Sequence, residues 1–175
     1  VTDPDGFQSF VKYNFDFGGV TEKQTPSPNA GQTAPKHLIA YDSIGRVSQL
    51  TNNINSAYVR NVYGATYVQT YSTVNTAADE AYSISFFNGA GREYYSAGNH
   101  PGSTGGYKAV STKYDVMGRV WKTSNPTEVN SSSSPTGDDA GWFYTTQTYD
   151  WKGRPLRTTN QDSTYRELSY SGCGC

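Results

Sequence analysis

Apolar and polar residues alternate along the opening of the chain. From Phe7 to Phe17 the odd positions read Phe, Ser, Val, Tyr, Phe, Phe and the even ones Gln, Phe, Lys, Asn, Asp. A period of two puts one set on each face of a strand, so residues 1–23 are expected to hold one long, half-buried strand. Three prolines follow in "QTPSPNAGQTAPK", residues 24–36. Proline donates no amide hydrogen and favours extended or turn backbone, so this stretch reads as a tether that holds the first strand away from the rest.

Beyond it, from residue 37 to 175, one short pattern recurs: "YDSIGRVSQLT" from Tyr41, "YDVMGRVWKTS" from Tyr114 and "YDWKGRPLRTT" from Tyr149. Its parts suit a strand that turns back on itself. Tyr ends one strand, and Asp42, Asp115 and Asp150 offer side-chain acceptors to turn amides. Two variable residues make the tip, and Gly45, Gly118 and Gly153 supply a backbone angle closed to other residues. Arg46, Arg119 and Arg154 then start the return strand, each placed either over the Tyr ring or against the Asp carboxylate. Weaker copies keep part of the frame. "FNGAGREYYS" retains Gly91 and Arg92 but has Phe87 and Asn88, and "TDPDGF" retains Asp3 and Gly6. "YSGCGC" sets Tyr170 and Gly174 in frame with Ser171 and Cys175 in place of Asp and Arg, so the sheet domain is expected to end mid-repeat. The starts at 41, 87, 114 and 149 are unevenly spaced, which argues for hairpins with loops of different length rather than identical coils.

Composition points the same way. Thr, Ser, Tyr, Asn and Gly are common while helix formers such as Leu, Met and Lys are few, which favours pleated strands. One helical turn at "ADEAY", 78–82, is the single helical candidate. The hydrophobic fraction is 34%, below the ~45–50% of an average domain, so the core must be thin and made of rings. The expected fold is all-β: an antiparallel sheet of successive hairpins with long irregular loops. "AGNHPGSTGG" from Ala97 and "SNPTEVNSSSSPTGDDAG" from Ser124 are expected to be exposed and mobile. Net charge is −1 with no block of like charge, and no run of ~18 apolar residues occurs. Neither nucleic acid nor membrane insertion is therefore expected.

The YDxxGR copies at 41–46, 114–119 and 149–154 resemble the YD-repeat or RHS family of the bacterial extracellular type. That resemblance implies a large exported β-sheet protein. In shell-forming members many repeats coil a continuous sheet into a container around a toxic C-terminal domain. The matched residues are structural, so the resemblance supplies no catalytic residue.

Other chemistry is sparse. His37 and His100 lie in no nucleophile motif and read as surface residues. Asp138 and Asp139, with Glu128 upstream, lack the ligand spacing of a calcium loop. Cys173 and Cys175 would leave a tetrahedral metal site half filled, and read as free or interchain thiols. No catalytic, cofactor-binding or metal residue is expected. Asn130 opens the sequon "NSS", a candidate for glycosylation. Trp151, at a hairpin tip, is a candidate for stacking on sugar, whereas Trp121 and Trp142 suit a small core.

These readings point to a non-enzymatic structural protein, extracellular or on the cell surface. Its expected partners are other copies of itself or the remainder of a longer YD-repeat chain. The N-terminal strand is expected to pair with a neighbour's open edge and so build a filament or shell. The alternatives are a glycan-binding or adhesion module and a fragment of a larger toxin-encapsulating shell.

Overall fold

The computed structural model describes residues 2, 6–29, 31–76, 78–137 and 139–170; Asp3, Asp138, Ser171, Cys173, Gly174 and Cys175 fall outside them. All regular elements among the described residues are β-strands, arranged in two compact units, Val1–Tyr82 and Ser83–Cys175. In the first unit β1 (Phe10–Tyr13), β2 (Val20–Gln24), β3 (Lys36–Tyr41), β4 (Val47–Asn52), β5 (Tyr58–Tyr63) and β6 (Tyr67–Thr73) pair in chain order, each antiparallel to the next. β7 (Glu80–Phe87) begins in the first unit and runs into the second. There follow β8 (Glu93–Asn99), β9 (Tyr107–Tyr114), β10 (Val120–Ser124), β11 (Thr127–Val129), β12 (Tyr144–Tyr149), β13 (Pro155–Thr159) and β14 (Tyr165–Glu167). The antiparallel ladder of this unit runs β7-β8-β9-β10-β12-β13-β14, and β11 turns back onto the first half of β9. The all-β antiparallel architecture is the one the turn chemistry demands, because hairpin reversals can join only antiparallel strands.

Register slips by one residue at every Tyr-x-x-x-Gly-Arg reversal. Tyr41 pairs with Val47, Phe87 with Glu93, Tyr114 with Val120 and Tyr149 with Pro155, yet one step inward Ala40 pairs with Gln49 and Thr148 with Arg157. The return strand thus carries one extra residue. This bulge accompanies a left-handed residue at the turn's end, and Gly45, Gly91, Gly118 and Gly153 have φ of 82°, 73°, 82° and 81°.

Several local expectations are corrected. The segment from Phe7 to Phe17 is not one strand: the Asn14 amide donates to Gly19 O at 2.7 Å, and the Gly18 amide to Asn14 O at 2.9 Å. The chain therefore reverses at 14–19, and β2 pairs back on β1. Alternation alone overlooked that Asn14 and the Gly18-Gly19 pair carry turn chemistry of their own. The proline-containing stretch joins β2 to β3 as a hairpin loop, with Glu22 opposite Leu38 and the Thr25 amide donating to Pro35 O at 3.0 Å. Glu80 enters a strand rather than a helix, since its side chain finds partners across the sheet. Ala97–Asn99 close β8, and 127–129 form β11 inside the stretch expected to be a mobile loop.

That loop holds the core. Ala109 and Val129, 2% and 1% exposed, are the buried apolar residues among those described, joined by Ser111, Ser124 and Thr127. β11 sets Thr127 opposite Ala109, and the Ser111 amide donates to Ser124 Oγ at 2.8 Å. Elsewhere the sheet faces stay open.

Candidate functional site

Each YDxxGR turn is built around one carboxylate. In the turn at 41–46, Asp42 Oδ1 accepts the Ile44 amide at 3.0 Å and the Arg46 amide at 2.9 Å, while Oδ2 takes Arg46 Nε at 2.7 Å. Asp115 repeats this with Met117, Arg119 and Arg119 Nε at 2.9, 2.9 and 2.7 Å. Asp150 repeats it with Lys152, Arg154 and Arg154 Nε at 2.9, 2.8 and 2.6 Å. The backbone closes alike, the Asp42 amide donating to Arg46 O at 2.8 Å and the Gly45 amide to Asp42 O at 3.1 Å.

The electrostatics follow from these bonds. The Arg46 amide, followed by its guanidinium, draws the Asp42 carboxyl below the usual aspartate range. At Asp115 and Asp150 desolvation pushes upward, but the amide, guanidinium and charge of Arg119 and Arg154 together outweigh it, and both carboxyls titrate low.

The arginine does both things the sequence left open. It pairs with the Asp of its own turn, and it lies over a tyrosine of the next repeat rather than its own. Arg46 sits 4.1 Å from the Tyr63 ring, Arg92 4.6 Å from Tyr114, Arg119 4.6 Å from Tyr149 and Arg154 4.2 Å from Tyr170. The same tyrosines reach further back with their hydroxyls. Tyr41 OH donates to Val20 O, Tyr63 OH to Val47 O, Tyr114 OH to Glu93 O and Tyr149 OH to Val120 O, at 2.6 to 2.9 Å. Each acceptor is the residue that pairs with, or directly follows the Arg of, the preceding reversal. One ring thus covers a guanidinium and ties down the start of a return strand.

This geometry reveals two frames the sequence reading missed. Tyr13 opens a reversal with Asn14, whose Oδ1 accepts the Asp16 amide at 2.8 Å, and the place of Arg is taken by Phe17, stacked edge-on to Tyr41 at 5.0 Å. Tyr63 opens the other, closed by the Gly64 amide on Tyr67 O at 2.9 Å. With Tyr63 restored, the starts at 41, 63, 87 and 114 stand 22, 24 and 27 residues apart, and only the step to 149 is stretched. A further cluster was also missed: Glu80 accepts Tyr58 OH at 2.6 Å and Arg60 Nε and Nη2 at 2.9 and 3.0 Å, with Arg60 3.7 Å from the Tyr71 ring. The Arg60 guanidinium, then the Tyr58 hydroxyl, hold the Glu80 carboxyl low.

The remaining candidates are dispersed. Trp151 is 88% exposed with Lys152 Nζ 4.9 Å from its ring, Trp121 is the bulged residue of its return strand, and Trp142 packs edge-on against Tyr95 at 6.1 Å. Asn130 Oδ1 accepts the Ser132 and Ser134 amides at 3.0 Å, so the sequon lies in an Asx reversal. His37 and His100 are both exposed, on β3 and on the loop after β8. Glu128 and Asp139 line an open polar hollow of about 340 Å³ with Asn125, Thr136 and Phe143. Among the described residues no three His, Cys, Asp or Glu side chains gather to hold a metal. Cys173 and Cys175 lie outside the described residues.

No family model matches the chain, and no curated protein matches it. Among solved structures it is similar to the crystal structure of TcdB2-TccC3-TEV, at 16% identity with a TM-score of 0.53. The likeness covers 94% of this chain and 10% of that one, so the chain spans about a tenth of that chain's length. The likeness is one of fold, an RHS-like β-sheet.

Proposed function

We propose that the chain is a non-catalytic wall segment of an extracellular YD-repeat β-sheet, and that it works by continuing its sheet into further strands at its margins. One observation carries this reading. β1 and β14 are exposed at every residue and pair on one side only among the described residues, leaving rows of amides and carbonyls open to another strand. The fold likeness to a tenth of a much longer chain supports it. The further strands come from other copies of the chain; the remainder of a longer repeat polypeptide is the nearest rival. β1 already pairs with β2, so edge-to-edge addition is favoured over donation of a detached N-terminal strand, which would first break that ladder.

The experiment is sedimentation of the purified chain over a range of concentration, beside Glu167→Pro. The Leu168 amide donates inward to Leu156 O, so the alternating amide of Glu167 points out of the sheet, where proline removes a donor without touching the β13 ladder. Oligomers that grow with concentration and shorten in the variant support self-association. A monomer throughout, unchanged by the proline, sinks it and leaves continuation along one polypeptide.

A second reading has its own observation. Trp151, displayed on a reversal tip, offers a flat apolar face of the kind that stacks on sugar rings. Saccharide binding on an array that disappears in Trp151→Ala would establish an adhesion role. Equal signals for both proteins would remove it.

A further inference from the structure

Asn88 stands where three sibling turns have aspartate, and one atom beside it is left unserved. Its Oδ1 accepts the Ala90 and Arg92 amides at 3.0 and 3.1 Å. Only the oxygen of the side-chain amide accepts, so its other terminus is the nitrogen, a donor. In the siblings that terminus is a carboxylate oxygen, taking Arg Nε at 2.6 to 2.7 Å. At Asn88 donor meets donor, and Arg92 Nε is buried without a hydrogen-bond partner. Such a group forfeits its hydration and gains nothing in return. The residue that follows is Gly89, with open space where a Cβ would sit and no hydrogen bond on its amide among the described residues.

We propose that Asn88-Gly89 is a site of spontaneous deamidation, whose aspartyl product completes the ion pair this turn lacks. The Gly89 amide nitrogen attacks Asn88 Cγ; the new N–Cγ bond forms as the Cγ–Nδ2 bond breaks, and ammonia leaves with the Gly89 amide proton. Water then adds to Cγ of the succinimide, the N–Cγ bond opens, the Gly89 nitrogen regains a proton, and a carboxylate remains. The two amides on Oδ1 stabilise the negative charge that develops there, and the Arg92 guanidinium adds a positive charge alongside. Ring closure requires the Gly91 amide to release Asn88 O, a single 2.8 Å bond at an exposed tip. Opening of the ring at the main-chain carbonyl would insert an extra backbone carbon into the closure between the Asn88 amide and Arg92 O, whereas the aspartyl form gains Arg92 Nε.

The molecule holds its own control. Asn130 makes the same two bonds from Oδ1, to Ser132 and Ser134, but is followed by Ser131, and Ser134 occupies the place of the arginine. The test is peptide mapping by mass spectrometry of the folded chain after incubation at mildly alkaline pH, with fragmentation that distinguishes aspartyl from isoaspartyl. Asn88 is expected to convert several-fold ahead of Asn130, mainly to the aspartyl form. Gly89→Ala is expected to slow that conversion. Asn88→Asp is expected to melt above the unmodified chain, and to lose that gain when combined with Arg92→Gln. Conversion no faster than at Asn130, a mainly isoaspartyl product, or Asn88→Asp melting no higher than the parent would each overturn the proposal.

Discussion

The repeat that opens at Tyr41 and the one that opens at Tyr114 share a turn bond for bond, yet one lies bare and the other is accompanied by a small core. In the first, β4 reaches β5 through residues 53–57, and no apolar side chain is buried among the described residues. In the second, residues 125–143 intervene between β10 and β12, and β11 folds back to pair with the first half of β9, bringing in the buried Val129. The reversals therefore need no buried core, being held by their own carboxylate, glycine and guanidinium and by the next tyrosine. Burial is an addition supplied by an insertion. A repeat of this kind propagates a sheet without needing a core at each step, and so leaves both faces of the sheet wet.

The comparison breaks most severely at that small core. Val129→Asp places a charge at a position that is 1% exposed, at a cost of about 3 kcal/mol or more. Hydrogen exchange should lose protection across β9, β10 and β11 while β3, β4 and β5 keep theirs. Equal loss in both regions would mean that the bare repeat depends on the covered one.

Next come the glycines. Gly45→Val and Gly118→Val both force a β-branched residue to a φ of 82°, costing roughly 1 to 3 kcal/mol each. Gly118→Val should be the worse, because its Cβ would displace the Arg92 guanidinium from Tyr114 while nothing lies near the Cβ position at Gly45. Thermal melts that leave both variants at the parent's midpoint would refute the assignment of the turn to a left-handed glycine. A smaller effect is expected from Tyr63→Phe and Tyr149→Phe, each of which removes the hydroxyl donated to the first carbonyl of the return strand, worth about 0.5 to 1.5 kcal/mol. Similar losses at the two positions would show that the tyrosine tie works equally well in the bare and the covered repeat.

Smallest is the dependence on pH. Asp42, Asp115 and Asp150 have folded-state carboxyls below their ordinary value, so their stabilisation is complete above about pH 4 and drains away as pH falls through the lowered values. Asp115→Asn keeps the two amide bonds and removes the charge, making that turn resemble the one at Asn88. Its melting point at neutral pH should drop, and its further loss on acidification should be smaller than the parent's. An unchanged acid slope would exclude the Asp115–Arg119 pair as a contributor.

The architecture was legible wherever chemistry is local. Asp, Gly and Arg are each needed within six residues, so the reversals at 41, 114 and 149 could be read directly, and Phe87-Asn88 followed from the surviving Gly91 and Arg92. What escaped depends on distance or on brevity. Tyr63 keeps none of the motif beyond its ring, and its place is set by an arginine 17 residues earlier in a neighbouring hairpin. β11 is three residues between a proline and a serine run, too short for any alternation to register. Glu80 sat in a helix-like string, and only pairing across the sheet brings it to Tyr58 and Arg60. The alternation at 7–17 was real but blind to the Asn14 and Gly18 reversal that cuts it.

The rings that cap each guanidinium arrive late in synthesis. Arg46, Arg92, Arg119 and Arg154 each wait for a tyrosine 16 to 30 residues downstream, so a nascent polypeptide completes each of these bends only after the following one has been made. At the pace of translation that lag is roughly one to six seconds. Assembly then advances like a zip with its slider one tooth behind, and a ribosome stalled before Tyr149 would hold a protease-sensitive Arg119 bend that the same nascent chain, released past it, would protect.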